Sequence, residues 1–166
     1  MLNLEAAFAG KGGQRRVAEY LLKHGLRVSP DGLILAGDVE VSQVSVARVL
    51  DVDRRVVKST IESISGDEKL KAIFSKLSVT PSLKELAPAL GYGAIEIIPT
   101  DAASQGIVAG VTNTISSAGI AIRQVIADDP MFDNPELTVI TDKPIPRNLI
   151  DKILKISGVH KVVVLN

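Results

Sequence analysis

Arg54, Arg55, Lys58 and Ser59 fall at the start and outer face of an apolar-periodic stretch that follows Asp53. Cations on the first turn of a helix, with the apolar side turned inward, suit the phosphates and base edges of a duplex major groove. A second group lies in Pro99-Thr100-Asp101-Ala102-Ala103-Ser104-Gln105-Gly106-Ile107-Val108-Ala109, where a glycine opens a helix. The free N–H groups of such a first turn carry partial positive charge and suit a carboxylate, and the small residues let a ligand approach. The remaining chemistry-bearing residues form no such group. The chain has no Cys, which excludes disulfides, thiolate nucleophiles and Cys-ligated metal centres. His24 and His160 are far apart and neither has a nearby Ser, Asp or Glu pattern that suggests a triad. Gly10-Lys11-Gly12-Gly13 lacks the spacing of a phosphate loop and reads as a flexible lead-in. Asp128, Asp129, Asp133 and Glu136 do not follow the order of a calcium loop and read as a solvated hairpin connection. With no nucleophile–base pair, metal cluster or cofactor fingerprint, neither an enzyme nor a bound cofactor is expected.

These residues must be positioned by a folded chain, and the composition allows one. At 166 residues, with 46% apolar and 23% charged, there is enough material for one ordinary domain or two small ones. Lys plus Arg equals Asp plus Glu at 19 each, so no overall field recruits nucleic acid or membrane and any basic surface is local. With only three Phe, two Tyr and no Trp, base-stacking platforms are disfavoured, so a nucleic-acid partner is expected to be double-stranded DNA. The first residues carry no basic segment or long apolar run, so a cytoplasmic location is expected. Residues 102–122 are uncharged but diluted by Ser, Thr, Asn and Gln, which predicts a buried helix and strand and no membrane partner.

The period of apolar residues changes near Gly91, predicting a helical domain over 1–91 and a second domain over 92–166. Upstream, Val17, Ala18, Tyr20 and Leu21 predict a helix over 14–23 that Gly25 ends, and Pro30-Asp31-Gly32 predicts a hairpin turn. Ser42 and Asp53 stand where N-caps are needed for helices over 43–50 and 54–64; further helices are predicted over 67–77 and 82–90. Downstream, strands over 94–98, 120–127, 137–141 and 159–165 alternate with two helices. One spans 105–118, with Ile107, Val108, Val111 and Ile115 on one face; the other begins at Pro146 and carries Leu149, Ile150, Ile153 and Leu154. The order βαββαβ predicts a ferredoxin-like sandwich, two helices on one face of four strands, so the fold class is α+β.

Residues 39–64 read VEVSQVSVARVLDVDRRVVKSTIESI. Small Ala47 lets two helices approach, and Val44, Leu50, Val52, Val57 and Ile61 are the predicted shared core. The stretch from Ala47 through Asp51 to Val57 resembles the helix-turn-helix of transcription regulators. The turn position usually held by glycine is Asp51, one of the residue types that accept a left-handed conformation. Residues 1–91 carry 13 basic and 11 acidic side chains, so one copy releases few counterions and DNA binding calls for a homodimer with two helices about 34 Å apart.

The run from Gly106 through Gly110 to Gly119-Ile120-Ala121-Ile122 resembles the ACT domain, whose helix begins at a glycine and ends in a glycine followed by a strand. The resemblance implies a regulatory module that binds an amino acid between paired domains, using this loop and the second strand. Gly106 and Ile107 match the loop glycine and its apolar follower, Gly119 matches the turn, and Arg123 lies on the second strand. Gln105 replaces a frequent proline and Ala103 a frequent acidic or polar residue, leaving Asp101, Ser104 or Gln105 as partners for an α-amino group. The whole chain resembles archaeal proteins described as predicted regulators of amino acid metabolism containing an ACT domain. That resemblance implies a ligand-responsive transcription regulator, homodimeric through the ACT domain, with an amino acid effector. The alternative is a regulatory interaction module that docks on a metabolic enzyme without binding DNA.

Overall fold

A computed structural model describes residues 3–165, and its contacts divide the chain into two compact units, Met1–Thr80 and Pro81–Asn166. In the first unit, α1 (Leu4–Ala7) is capped by Asn3, whose side chain accepts from Ala6 N. Helix α2 (Gly12–Lys23) buries Val17, Ala18 and Leu21. Gly25 ends it at φ 64°, where a Cβ would stand 2.2 Å from the Ser78 carbonyl oxygen, so only glycine fits both the dihedral and the space. The expected hairpin forms from β1 (Arg27–Val28) and β2 (Ile34–Ala36), joined through Gly32 N donating to Ser29 O. A third strand, β3 (Val39–Val41), pairs antiparallel with β2. At three residues it is too short to show a period in the sequence.

Helix α3 (Gln43–Leu50) starts at Ser42, whose hydroxyl accepts from Ser45 N, and α4 (Arg54–Gly66) starts at Asp53, whose carboxylate accepts from Arg55 N. Between them Asp51 stands at φ 50°, ψ 54°, a left-handed turn that its short polar side chain tolerates. Helix α5 (Glu68–Phe74) is capped by Asp67 and stops short of the predicted residue 77. Val46, Ala47, Val57, Ile61 and Ile64 are buried together with Leu21, Ile34 and Phe74. Val44, predicted to join this core, is 45% exposed. The inward stripe of α3 runs through Gln43, Val46, Ala47 and Leu50, three and four residues apart, which turns Val44 outward.

In the second unit, β4 (Gly93–Pro99), α6 (Ile107–Ser117), β5 (Ile122–Ala127), β6 (Leu137–Thr141), α7 (Arg147–Ile153) and β7 (Val159–Leu165) follow one another. All pairings are antiparallel and the sheet order is β5-β6-β4-β7. Ile95, Ile97 and Val139 bury one sheet face against Ile107, Val111 and Ile115 of α6 and Leu149 and Ile153 of α7. Each such side chain contributes about 1.5–3 kcal/mol by leaving water. Val108 and Leu154, predicted on these stripes, are 44% and 42% exposed because the neighbouring positions already fill the contact.

The helix predicted over 82–90 is replaced by turns and a single 3-10 turn, Pro88–Leu90. Pro88 has no N–H to continue a ladder. The Gln124 side chain accepts from Leu83 N and donates to the Pro81 carbonyl, which fixes the start of the stretch to β5. Thus 81–91 lie with the second unit, against the sheet face opposite the helices, where Ala87, Ala94 and Ile140 are buried together. The fold is α+β, with helices and two antiparallel sheets, and no helix among the described residues is long and apolar enough to cross a membrane.

Candidate functional site

In the first unit the cationic residues begin at the turn. Arg54 and Arg55 occupy the first turn of α4, both exposed, and among the described residues neither guanidinium has an ion-pair partner. Lys58 follows on the same exposed side, with its Nζ 3.8 Å from Glu62 Oε1 one turn on. Pairs of this kind on an exposed helix contribute only about 0.3–0.5 kcal/mol, so Lys58 remains free to exchange partners. Ser59 is turned the other way. Its hydroxyl accepts from Gln14 Nε2 at 2.9 Å and donates to Val56 O at 3.1 Å, so it joins α4 to α2 and leaves the outer face. The sequence places Ser59 beside Lys58 but does not show that Gln14, far back in the chain, meets it.

Two further residues fix the turn. Arg16 Nη2 donates to Leu50 O at 2.8 Å, satisfying a carbonyl at the end of α3. Gly13 of α2 approaches α4 so closely that a Cβ there would lie 3.2 Å from Val56 Cγ1. Neither carries a sequence signal, because each depends on a contact with residues more than thirty positions away. The resulting arrangement presents a 13-residue helix by its N-terminal turn, with unpaired positive charge on it.

In the second unit, loop 100–106 joins β4 to α6. Thr100 N donates to Gly158 O at 2.8 Å, tying the loop to the turn before β7. Asp101 accepts from Ala103 N at 2.9 Å and from the Ser104 hydroxyl at 3.4 Å, so these two predicted ligand partners satisfy each other within the loop. Gln105 is exposed, and Gly106 sits at φ 91° with no side-chain cap on α6. Ile107 is buried beneath Gly158, where a Cβ would come within 2.9 Å of Ile107 Cδ1. It therefore anchors the loop.

Beside this loop lies a cavity of about 50 Å3, whose lining includes Ala102, Ser104, Ile107, Val108, Asp128 and Glu136. Asp128 and Glu136 close the β5–β6 hairpin: Asp128 N donates to Glu136 O and Glu136 N to Asp128 Oδ2. Burial, then a hydrogen bond and charge from Glu96, hold the Glu136 carboxyl above the ordinary glutamate range, against the opposing pull of Lys84. Its raised value makes the contribution of this carboxyl to stability complete below the usual 4.5 and lost as pH rises through the raised value.

Gly119 and Arg123 are not brought to this cavity. Gly119 follows the far end of α6, a helix of 11 residues that spans about 16 Å at 1.5 Å per residue. Arg123 stands on a bulge at the start of β5, with its Cζ 5.3 Å from the centre of the Tyr92 ring, while the cavity lies past the other end of that strand. Among the described residues no group of three or more His, Cys, Asp or Glu is placed to hold a metal ion.

No family model matches the chain, and no curated protein matches it. A solved structure titled "Crystal structure of PH0061" is similar over 92% of this chain and 88% of its own, at 19% identity and a TM-score of 0.27. At that score the likeness carries no argument about fold or function.

Proposed function

We propose that the chain is a ligand-responsive transcription regulator of amino acid metabolism, of the archaeal type that joins a helix-turn-helix to an ACT domain. In this reading α3 and α4 are the helix-turn-helix, α4 enters the major groove of duplex DNA, and the ferredoxin-like second unit binds an amino acid. The observation that carries it is the first turn of α4, where Arg54 and Arg55 stand exposed, without ion-pair partners among the described residues, just after the left-handed turn at Asp51. The βαββαβ order and the uncapped glycine at the start of α6 support the ACT half. The cavity beside the loop, about 50 Å3, is far below the roughly 300–1,000 Å3 of small-molecule sites. An amino acid therefore calls for a second copy to complete the wall, which makes the regulator a homodimer in the proposal.

Coupling requires the ligand to bind two arrangements of the dimer with different affinity, typically by about 1–3 kcal/mol. The test titrates the full chain against duplex DNA at several salt concentrations, with and without each of the twenty amino acids. Arg54→Ala combined with Arg55→Ala is expected to lower the slope of log K against log salt by about 2 and to leave the melting temperature within a few degrees. Unchanged affinity in that variant would remove α4 as the DNA-contacting helix. No duplex binding by the unmodified chain at low salt would leave the reading in which the first unit docks on a metabolic enzyme.

A further inference from the structure

The stretch 81–91 holds to the open sheet face by polar groups at its start and by little apolar contact along its length. Gln124 grips it twice, with Oε1 accepting from Leu83 N at 2.9 Å and Nε2 donating to the Pro81 carbonyl at 2.8 Å. The Lys84 ammonium meets the Glu96 carboxylate of β4 and lies 3.9 Å from Glu136 Oε2. Of the apolar residues in the stretch, Ala87 alone is fully buried; Leu83 is half-buried, and Leu86 and Leu90 are each 49% exposed. A segment with so little apolar burial belongs to the low end of local opening free energies, whereas β4 and β6, buried along their length, belong to the high end.

We propose that residues 81–91 form a releasable strap on the sheet, latched by the Gln124 amide and by the Lys84 ammonium on the Glu96 carboxylate. The latch is unbalanced. Lys84 is the cation among Glu85, Glu96, Glu136 and Asp128, so it faces more negative charge than it neutralises. The hydrogen bond from Lys84 to Glu96 raises the lysine's pKa, and the excess charge contributes to holding Glu136 up. Lys161 of β7 lies on the same face beside Ile98, on the far side of β4 from Glu136, and has no ion-pair partner among the described residues that would relieve it. Opening the strap would bare Ala94 and Ile140 without touching the core on the helix side. The inference does not depend on DNA or amino acid binding.

Amide hydrogen exchange on the full chain tests it, read at Ala87 and Tyr92, whose N–H groups donate to Leu83 O and Ala87 O, and across β4 and β6. In the unmodified protein the strap amides are expected to exchange at least tenfold faster than those of β4 and β6. Lys84→Met and Gln124→Ala are each expected to speed strap exchange a further fivefold or more while leaving the two strands unchanged. Glu136→Gln, which removes surplus charge and keeps the shape, is expected to slow strap exchange severalfold. A strap that exchanges at the rate of the strands, or an unchanged strap rate in either Lys84→Met or Gln124→Ala, would overturn the releasable strap. Faster exchange in Glu136→Gln would overturn the unbalanced latch. Equal acceleration of strap and strands would show that the stretch is an ordinary part of one cooperative unit.

Discussion

Ser59 shows how far a residue's chemistry depends on what it faces. Read along α4 it belongs with Arg54, Arg55 and Lys58, but its hydroxyl is occupied by Gln14 Nε2 and Val56 O. Ser59→Ala would leave the part-buried Gln14 amide without that acceptor, and the expected cost is about 1 kcal/mol of stability. Duplex affinity in the same variant is expected to match that of the unmodified chain, in contrast to the Arg54 and Arg55 pair. A chemical denaturation curve and a binding titration on one preparation check both halves; a loss of affinity with unchanged stability would put Ser59 back on the outer face. The same distinction applies in the loop before α6. Asp101, Ser104, Gln105, Gly106 and Ile107 were readable as a group from their types and order, but Asp101 and Ser104 bond to each other and Ile107 is buried. Val108, Asp128 and Glu136 line the cavity beside Ser104 and Ile107, and for the two carboxylates the sequence signal was an acidic residue at each end of a predicted hairpin connection.

At the scale of elements, the turn between α3 and α4 was legible because its requirements are local. Ser42 and Asp53 cap the backbone within three residues of themselves, and Asp51 is a residue type that tolerates φ near 50°. Asp51→Gly is therefore expected to change stability by less than about 1 kcal/mol in either direction, whereas the β-branched Asp51→Val is expected to cost about 1–3 kcal/mol. Thermal melts of the two variants decide it, and a melt for Asp51→Val equal to that of Asp51→Gly would show that the left-handed turn carries no strain. The helix predicted over 82–90 does not form, for the opposite reason. Its composition permits a helix, but Gln124 on a distant strand binds Leu83 N and Pro81 O. Strand β3 leaves no sequence signal because Val39–Val41 is too short to carry a period.

For the whole molecule, the change of apolar period at Gly91 and the division of contacts after Thr80 bracket the stretch 81–91. A chain of residues 81–166 is expected to unfold cooperatively, and one of residues 92–166 to melt several degrees lower, having lost the Gln124 and Lys84 contacts. Equal melting temperatures would assign that stretch no part in the second unit. The amino-acid sequence by itself determined the α+β class, the order βαββαβ, the capped helices after Ser42 and Asp53, and the places where exposed cations and an uncapped glycine stand. Each of these follows from spacing, dihedral preference or capping within a few residues. Only the tertiary structure decided which face of α3 is buried, that Ser59 turns to Gln14, that Glu136 stands between a cavity and Lys84, and that 81–91 lie on the sheet. Those outcomes depend on contacts between residues distant in the chain, and the competition between a local ladder and a remote partner is resolved only when both are in place.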